Sequence, residues 1–267
     1  MPELPEVETI KRSLGPIVGK TVTGLMVLRS DIVKRCDFGV ENAVGSEIID
    51  VTRRGKYLVI KLSCARHLVV HLGMTGRLLM VASSEPIADH THMVINLEGE
   101  KDVRYQDPRR FGNISFVKDT GGFFSSLGPE PLDPSFGPEE LARRLKRRSA
   151  SIKPVLLDQG VVAGIGNIYA DEILFAAGLH PARGASELNE YEISRLHAAI
   201  KEVITRAIEW RGTTFRDYRD GFNQPGQFQT HLAVYGRYGQ PCPKCGQPVQ
   251  KTVIGGRTTH YCAICQE

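Results

Sequence analysis

Four cysteines near the C-terminus stand at the spacing Cys242-x2-Cys245-x16-Cys262-x2-Cys265. Two Cys-x2-Cys knuckles at that separation are the pattern of a tetrahedral four-thiolate zinc site. Gly246 after the first knuckle and Gly255-Gly256 midway suit a ribbon with a central hairpin. A pair of disulfides would need an oxidising compartment. The acidic N-terminus, however, lacks the basic and apolar regions of a secretory signal. Four thiolates leave no open coordination position, so the metal is structural and catalysis belongs elsewhere.

The chain start, Met1-Pro2-Glu3-Leu4-Pro5-Glu6-Val7-Glu8, is the other stretch with chemical potential. Once Met1 is removed, Pro2 carries a free secondary amine, and an α-amino group titrates near pKa ~8. A useful fraction is then neutral and can attack an electrophilic carbon. A secondary amine bonded to a sugar C1′ gives an iminium ion directly, an electron sink for later eliminations. Glu3 is placed to act as acid or base. The competing explanation is that proline is simply a common second residue. Pro5 fits the first position of a helix, Val7, Ile10 and Leu14 recur at helical spacing, and Gly15 is a plausible stop. A buried helical face would pin this terminus, where most are frayed.

Two further stretches carry side chains suited to a polyanion. In Tyr105-Gln106-Asp107-Pro108-Arg109-Arg110-Phe111-Gly112, Pro108 and Gly112 bracket two arginines and a phenylalanine. An exposed apolar side chain there could enter a base stack as a wedge; the alternative is that Phe111 packs inward and both arginines are solvated. The ribbon hairpin carries Lys251, Arg257 and His260. Arg257 beside Gly256 offers a planar donor fork for a phosphate, or else the hairpin is merely solvated.

The elements that must position these residues follow from pattern. The 267 residues, 41% hydrophobic, suffice for one large or two ordinary domains. A net charge of +4 and pI near 8.7 permit a polyanionic partner without demanding one. No run approaches a membrane span, and cytoplasmic residence is expected. Residues 20–117 read as β structure: Thr21–Leu28, Ile48–Leu62, His67–Leu72, Met93–Leu97, Val103–Tyr105 and Ile114–Val117. The pattern predicts an antiparallel sandwich or flattened barrel. A Gly-, Pro- and Ser-rich connection at 121–138 marks a boundary. Beyond it the period turns helical, with a short basic helix around Leu141 and Leu145. A helical pair follows at Ser151–Asp158 and Asn167–Ala177, then a long helix over Ser186–Trp210. Cys36 and Cys64 stand apart from the four and are expected to be buried and reduced.

These residues together resemble the bacterial formamidopyrimidine-DNA glycosylases. The resemblance rests on the start Met-Pro-Glu-Leu-Pro-Glu-Val-Glu-Thr, on His71-Leu72-Gly73-Met74-Thr75-Gly76, and on Asp107-Pro108-Arg109-Arg110-Phe111-Gly112. Gly164-Ile165-Gly166-Asn167-Ile168-Tyr169-Ala170 and the terminal four-cysteine ribbon complete it. It spans essentially the whole chain, with the motifs in order. It implies an α+β multidomain protein: an N-terminal antiparallel β-sandwich over 1–125, a helix–two-turn–helix domain over 126–232, and a zinc ribbon over 233–267. It implies a monomer acting on damaged double-stranded DNA, excising oxidised purines and then cleaving the abasic strand. By the same resemblance Pro2 is the Schiff-base nucleophile, Glu3 the acid assisting base departure, Lys56 the lysine of β-elimination and Arg257 the arginine of δ-elimination. Met74, Arg109 and Phe111 fill the gap left by a flipped nucleotide, and His90, Arg109, Arg148 and Asn167 contact DNA. Cys242, Cys245, Cys262 and Cys265 bind one zinc ion. The loop 213–227 lies where the family covers the extruded base. Its composition varies among relatives, and some place a glutamate near the position of Arg77 or Leu78, so base contacts stay unassigned. Two other readings are an endonuclease VIII-like enzyme for oxidised pyrimidines, against which Leu4 and Arg109-Arg110-Phe111 argue, and a non-catalytic DNA-binding zinc protein.

Overall fold

A computed structural model describes all of residues 1–267. Helix α1, Leu4–Ser13, begins one residue ahead of Pro5, the first position expected from the sequence. Glu3 is its N-cap in extended backbone, and the Glu3 N–H donates to Glu6 Oε2 at 2.7 Å. This is one half of a reciprocal capping arrangement. Val7, Ile10 and Leu14 are wholly buried, so the chain start is anchored by apolar packing. The helix gives way at Leu14 to a tight turn over Gly15–Ile17.

Nine strands follow: β1 Val22–Val27, β2 Val33–Cys36, β3 Ile48–Arg54, β4 Tyr57–Leu62, β5 Arg66–His71, β6 Arg77–Ala82, β7 Thr91–Leu97, β8 Lys101–Gln106 and β9 Asn113–Val117. They form a four-stranded sheet, β1-β7-β8-β6, and a five-stranded sheet, β2-β9-β5-β4-β3. The run 48–62 is two strands, reversed at Gly55, where φ is +55°. Strands β2 and β6 escape the sequence pattern, one because it is four residues of mostly polar edge and the other because Leu78-Leu79-Met80-Val81 does not alternate. All pairs are antiparallel except β2 with β9. Alternation decides the layers. Leu58, Ile60, Leu68, Val70, Ile114 and Phe116 share one core with the inner residues of the other sheet and with α1. Val59, Val69 and Val117 face outward under Phe123 and Phe124 of the short helix α2, Thr120–Phe123, and the residue after it.

The chain forms two compact units. One comprises Met1–Ser126 with Trp210–Gln227, the other Leu127–Glu209 with Phe228–Glu267. The second unit contains α3 Pro138–Leu145, α4 Ile152–Leu157, α5 Asn167–Ala177, α6 Glu190–Glu209 and the hairpin β10 Gln250–Ile254 with β11 Arg257–Tyr261. No helix is long and apolar enough to cross a membrane. Cys36 and Cys64, expected to be buried, are exposed. The first ends an edge strand and the second lies in the β4–β5 turn, positions where neither sheet face covers the side chain.

Candidate active site and nucleic-acid interface

Pro2 and Glu3 are buried at the start of α1, behind an exposed Met1. Glu6 fixes this corner from two sides, since its Oε1 accepts the Thr213 N–H at 2.7 Å while its Oε2 accepts from Glu3. Lys56 is buried in the β3–β4 turn. That turn is tied to α1 through Arg53, which donates from Nε to Glu8 Oε2 at 3.1 Å and from its guanidinium to the Gly55 carbonyl at 3.0 Å. Burial pushes the Glu8 carboxyl up, but Lys11, Arg12 and Arg53 together hold it below the usual carboxylate range. His71, on β5 opposite Tyr57, is held down at about 4 by burial and by the Lys56 ammonium. Its Nδ1 accepts the Gly73 N–H at 3.3 Å, so a neutral ring carries its proton on Nε2. Pro2, Glu3 and Lys56 therefore stand on elements locked to one another within the first unit.

The same unit brings together four of the residues expected at DNA. Phe111 is 56% exposed and Met74 39% exposed, so Phe111 does not pack inward. The Arg109 guanidinium lies over the Phe111 ring at 4.9 Å, whereas Arg110 turns away to Asp31 at 2.6 Å. The Met74 and Phe111 loops meet at Asp107, which is fully buried. Its Oδ1 accepts from Thr75 at 2.5 Å, and its Oδ2 accepts from the Gly112 N–H at 2.8 Å and from the Tyr105 hydroxyl at 3.1 Å. His90 adjoins this cluster, because its carbonyl accepts the Asp107 N–H at 3.0 Å.

Within the second unit, Arg148 is half-exposed just after α3 and pairs with Asp158 at 3.0 Å. Asn167 opens α5, its Nδ2 donating to the Thr258 carbonyl at 3.1 Å. The loop joining α4 to α5 is stapled by Gln159, whose amide donates to Leu157 and Ile165 carbonyls and accepts the Gly164 N–H. Arg257 is exposed at the start of β11, after a Gly255-Gly256 turn with φ of +57° and +72° at its two central residues. Two consecutive positive φ values are what a tight two-residue hairpin requires. The hairpin is docked on α4 and α5: Lys153 donates to the Thr258 carbonyl and Thr259 Oγ1, both at 2.8 Å, and pairs with Asp171 at 2.7 Å.

The four cysteine sulfurs lie within 4.8 Å of one another, Cys242 with Cys265 at 3.9 Å and Cys245 with Cys262 at 3.4 Å. A tetrahedron with Zn–S bonds of ~2.3 Å has sulfur separations of about 3.8 Å, so the donor set fits zinc. The thiols compete for negative charge. Burial and its sulfur neighbours push Cys265 up to about 12. Cys262 works against its own burial, and N–H donors of Ile264 and Cys265 with the adjacent thiols bring it down to about 7. A divalent cation resolves that competition by making all four thiolates favourable.

Residues 1–114 match the family model described as the formamidopyrimidine-DNA glycosylase N-terminal domain. Residues 127–219 match that family's H2TH domain, and 239–267 a zinc finger found in FPG and IleRS. A formamidopyrimidine-DNA glycosylase of Syntrophomonas wolfei is 49% identical over 268 residues, covering 100% of both chains. The chain belongs to the formamidopyrimidine-DNA glycosylase family. Among solved structures of family members, a Lactococcus lactis variant complexed with Fapy-dG-containing DNA superposes with a TM-score of 0.92. It is 34% identical over 100% of each chain. The Lactococcus lactis protein with abasic-site DNA gives 0.91, also at 34% identity, over 99% of each chain. The four-cysteine ribbon of this glycosylase family member holds one structural zinc ion.

Other residues that hold this glycosylase fold at its functional surfaces carry no sequence signal. Asp171 and Glu172 are consecutive buried carboxylates on α5. Asp171 receives Lys153 and the His260 N–H, while Glu172 accepts N–H groups of Ala233, Val234 and Tyr235 at 2.8–2.9 Å. Burial still pushes the Glu172 carboxyl up, against those three donors. In the first unit, the segment 213–227 is organised by buried Asp220. Its carboxylate pairs with Arg211 and accepts the Phe222 and Gln224 N–H groups, while Gly221 bonds Ser13 of α1. Phe215 and Phe222 are left exposed on that segment.

Proposed function

We propose that the chain is a bifunctional DNA glycosylase and abasic-site lyase of base excision repair, acting as a monomer on damaged duplex DNA in the cytoplasm, at the nucleoid. Its substrates are oxidised purines, 8-oxoguanine and formamidopyrimidines. The single observation that carries the reading is the anchored start: Pro2 and Glu3 lie buried at the head of a helix whose apolar face and Glu6 bonds hold them in place.

Removal of Met1 frees the Pro2 nitrogen, whose lone pair attacks C1′ of the extruded nucleotide. The C1′–N bond breaks, its electron pair leaves with the base, and Glu3 assists by proton transfer. The C1′–O4′ bond breaks next, its electron pair going to O4′, which takes up a proton, and the sugar opens to a nitrogen–C1′ iminium. This draws electrons from C2′ as a proton is lost there, and the C3′–O bond breaks. Lys56 serves this β-elimination, and Arg257 the second, δ-elimination at C5′. Chemistry at C1′ requires the nucleotide to leave the stack. Met74, Arg109 and Phe111 fill the gap, while His90, Arg148 and Asn167 hold flanking DNA. The sandwich of 1–125 supplies the nucleophile. The helical segment 126–232 and the ribbon 233–267 grip the duplex.

Incubating the chain with borohydride and a duplex bearing 8-oxoguanine opposite cytosine should give a covalent adduct through Pro2. Nicking should be faster on that duplex than on one carrying dihydrothymine. A full-strength adduct from protein proven to retain Met1, in which the Pro2 nitrogen is an amide, would overturn the assignment.

A further inference from the structure

We propose that Asp107 is a positioning residue that locks the Met74 loop and the Arg109–Phe111 turn into one rigid wedge. The proposal rests on the reading that Met74 and Phe111 fill the gap beside an extruded nucleotide. A wedge that opens a base step does work against stacking. It can do so only if its two tips do not yield independently.

Met74 and Phe111 sit on different loops, one between β5 and β6 and the other between β8 and β9. Neither tip is part of the buried core, since both side chains are exposed. What joins the loops is a buried carboxylate that spends one oxygen on each. Oδ1 takes the Thr75 hydroxyl next to Met74, and Oδ2 takes the Gly112 N–H next to Phe111, with the Tyr105 hydroxyl beside it. Burial, together with the charge on Asp107, pushes the Tyr105 phenol up, so it remains a donor. The backbones also touch. A Cβ on Gly73, where φ is +58°, would fall 2.3 Å from the Gly112 nitrogen, and one on Gly112 would fall 2.5 Å from the His71 carbonyl. Only glycine permits that approach, and it brings Thr75 and Gly112 within reach of a single side chain. The Asp107 main chain extends the lock, its N–H bonding the His90 carbonyl and its carbonyl accepting from Arg110 and from His92 Nε2.

The lock predicts selective untethering. Thr75→Val keeps the shape and removes only the bond to Oδ1. Asp107→Ala removes both tethers. Asp107→Asn can restore them, with its amide oxygen on Gly112 and Tyr105 and its NH2 donating to the Thr75 oxygen. Amide hydrogen exchange of the free protein should quicken at 73–76 but not at 109–112 in Thr75→Val, quicken at both in Asp107→Ala, and stay near wild type in Asp107→Asn. Discrimination between 8-oxoguanine and intact duplexes should fall about three- to tenfold in Thr75→Val, the worth of one ordinary hydrogen bond. Because Thr75 acts through Met74, Thr75→Val combined with Met74→Ala should be no worse than Met74→Ala alone. Unchanged exchange at both loops in Thr75→Val and Asp107→Ala, or multiplying effects in the double variant, would overturn the lock. If exchange behaves as expected but Met74→Ala and Phe111→Ala both leave discrimination intact, the lock stands and the gap-filling reading fails.

Discussion

At the scale of single residues, the ionisable groups near the chain start are set by burial and by one another. His71 shows the consequence most directly. Its ring lies 4.8 Å from Tyr57, and burial with the Lys56 ammonium keeps it neutral until about pH 4, against an ordinary value of 6.5. Between those two values the unfolded chain binds a proton that the folded chain refuses. Stability is therefore complete above about pH 6.5, declines as pH falls through the window, and levels off below about pH 4. The full depression corresponds to up to about 3 kcal/mol. Denaturant unfolding across pH 4–7 should show His71→Gln with a shallower loss than the parent. Equal slopes would mean that His71 titrates normally in the folded state.

Among the elements, the ribbon is the least able to stand alone. Its buried apolar cluster consists of Phe175, Val234, Val249 and two of the metal ligands, Cys242 and Cys262. So little core makes metal binding, worth ~10–16 kcal/mol in such modules, the main source of order. Cys245→Ser should abolish zinc content and disorder β10 and β11 while the first unit stays folded. Arg257 then loses its mount, and affinity for abasic DNA should fall about tenfold or more, as for a lost hydrogen bond to a charged group. Metal analysis with a binding titration checks this, and undiminished affinity in verified zinc-free protein would contradict it. The contacts of Lys153 and Asn167 with Thr258 show why the hairpin needs more than zinc to be aimed.

For the whole molecule, modest net charge conceals a division of labour. The chain carries only +4, and two of the arginines of α3 are spent on Glu140. Specificity and grip should then separate by energy type. Phe111→Ala removes apolar contact and no charge, so the salt dependence of DNA binding should barely change while discrimination for damaged duplex weakens. On the proposed reading Arg148 holds one phosphate, so in Arg148→Ala the slope of log affinity against log salt should fall by about 0.9. That loss should be nearly uniform over damaged and intact DNA. Both variants titrated on both duplexes across a salt series test the contrast. A flattened slope with intact discrimination in Phe111→Ala would remove it from the wedge.

Whatever depends on neighbours along the chain was legible without coordinates. The zinc ligands declare themselves because two knuckles and a hairpin close one short segment. Helix α1 does so because Pro5, the Val7–Ile10–Leu14 stripe and Gly15 are all local. The resemblance supplied the remaining site residues by motif, not by their surroundings. Only the tertiary structure decided what supports them. Asp107 meets Thr75 across 32 positions because β6 and β8 pair in register, and Glu6 meets Thr213 across 207 because residues 210–227 return to the first unit. Lys153 and Asp171 read as ordinary charges, yet both are fully buried. Cys36 and Cys64 read as core residues and are exposed. A buried ion pair or a shared carboxylate has no period in sequence. It arises when strand register and loop closure bring distant groups together, and the cost of leaving such a group unpaired then makes the contact obligatory.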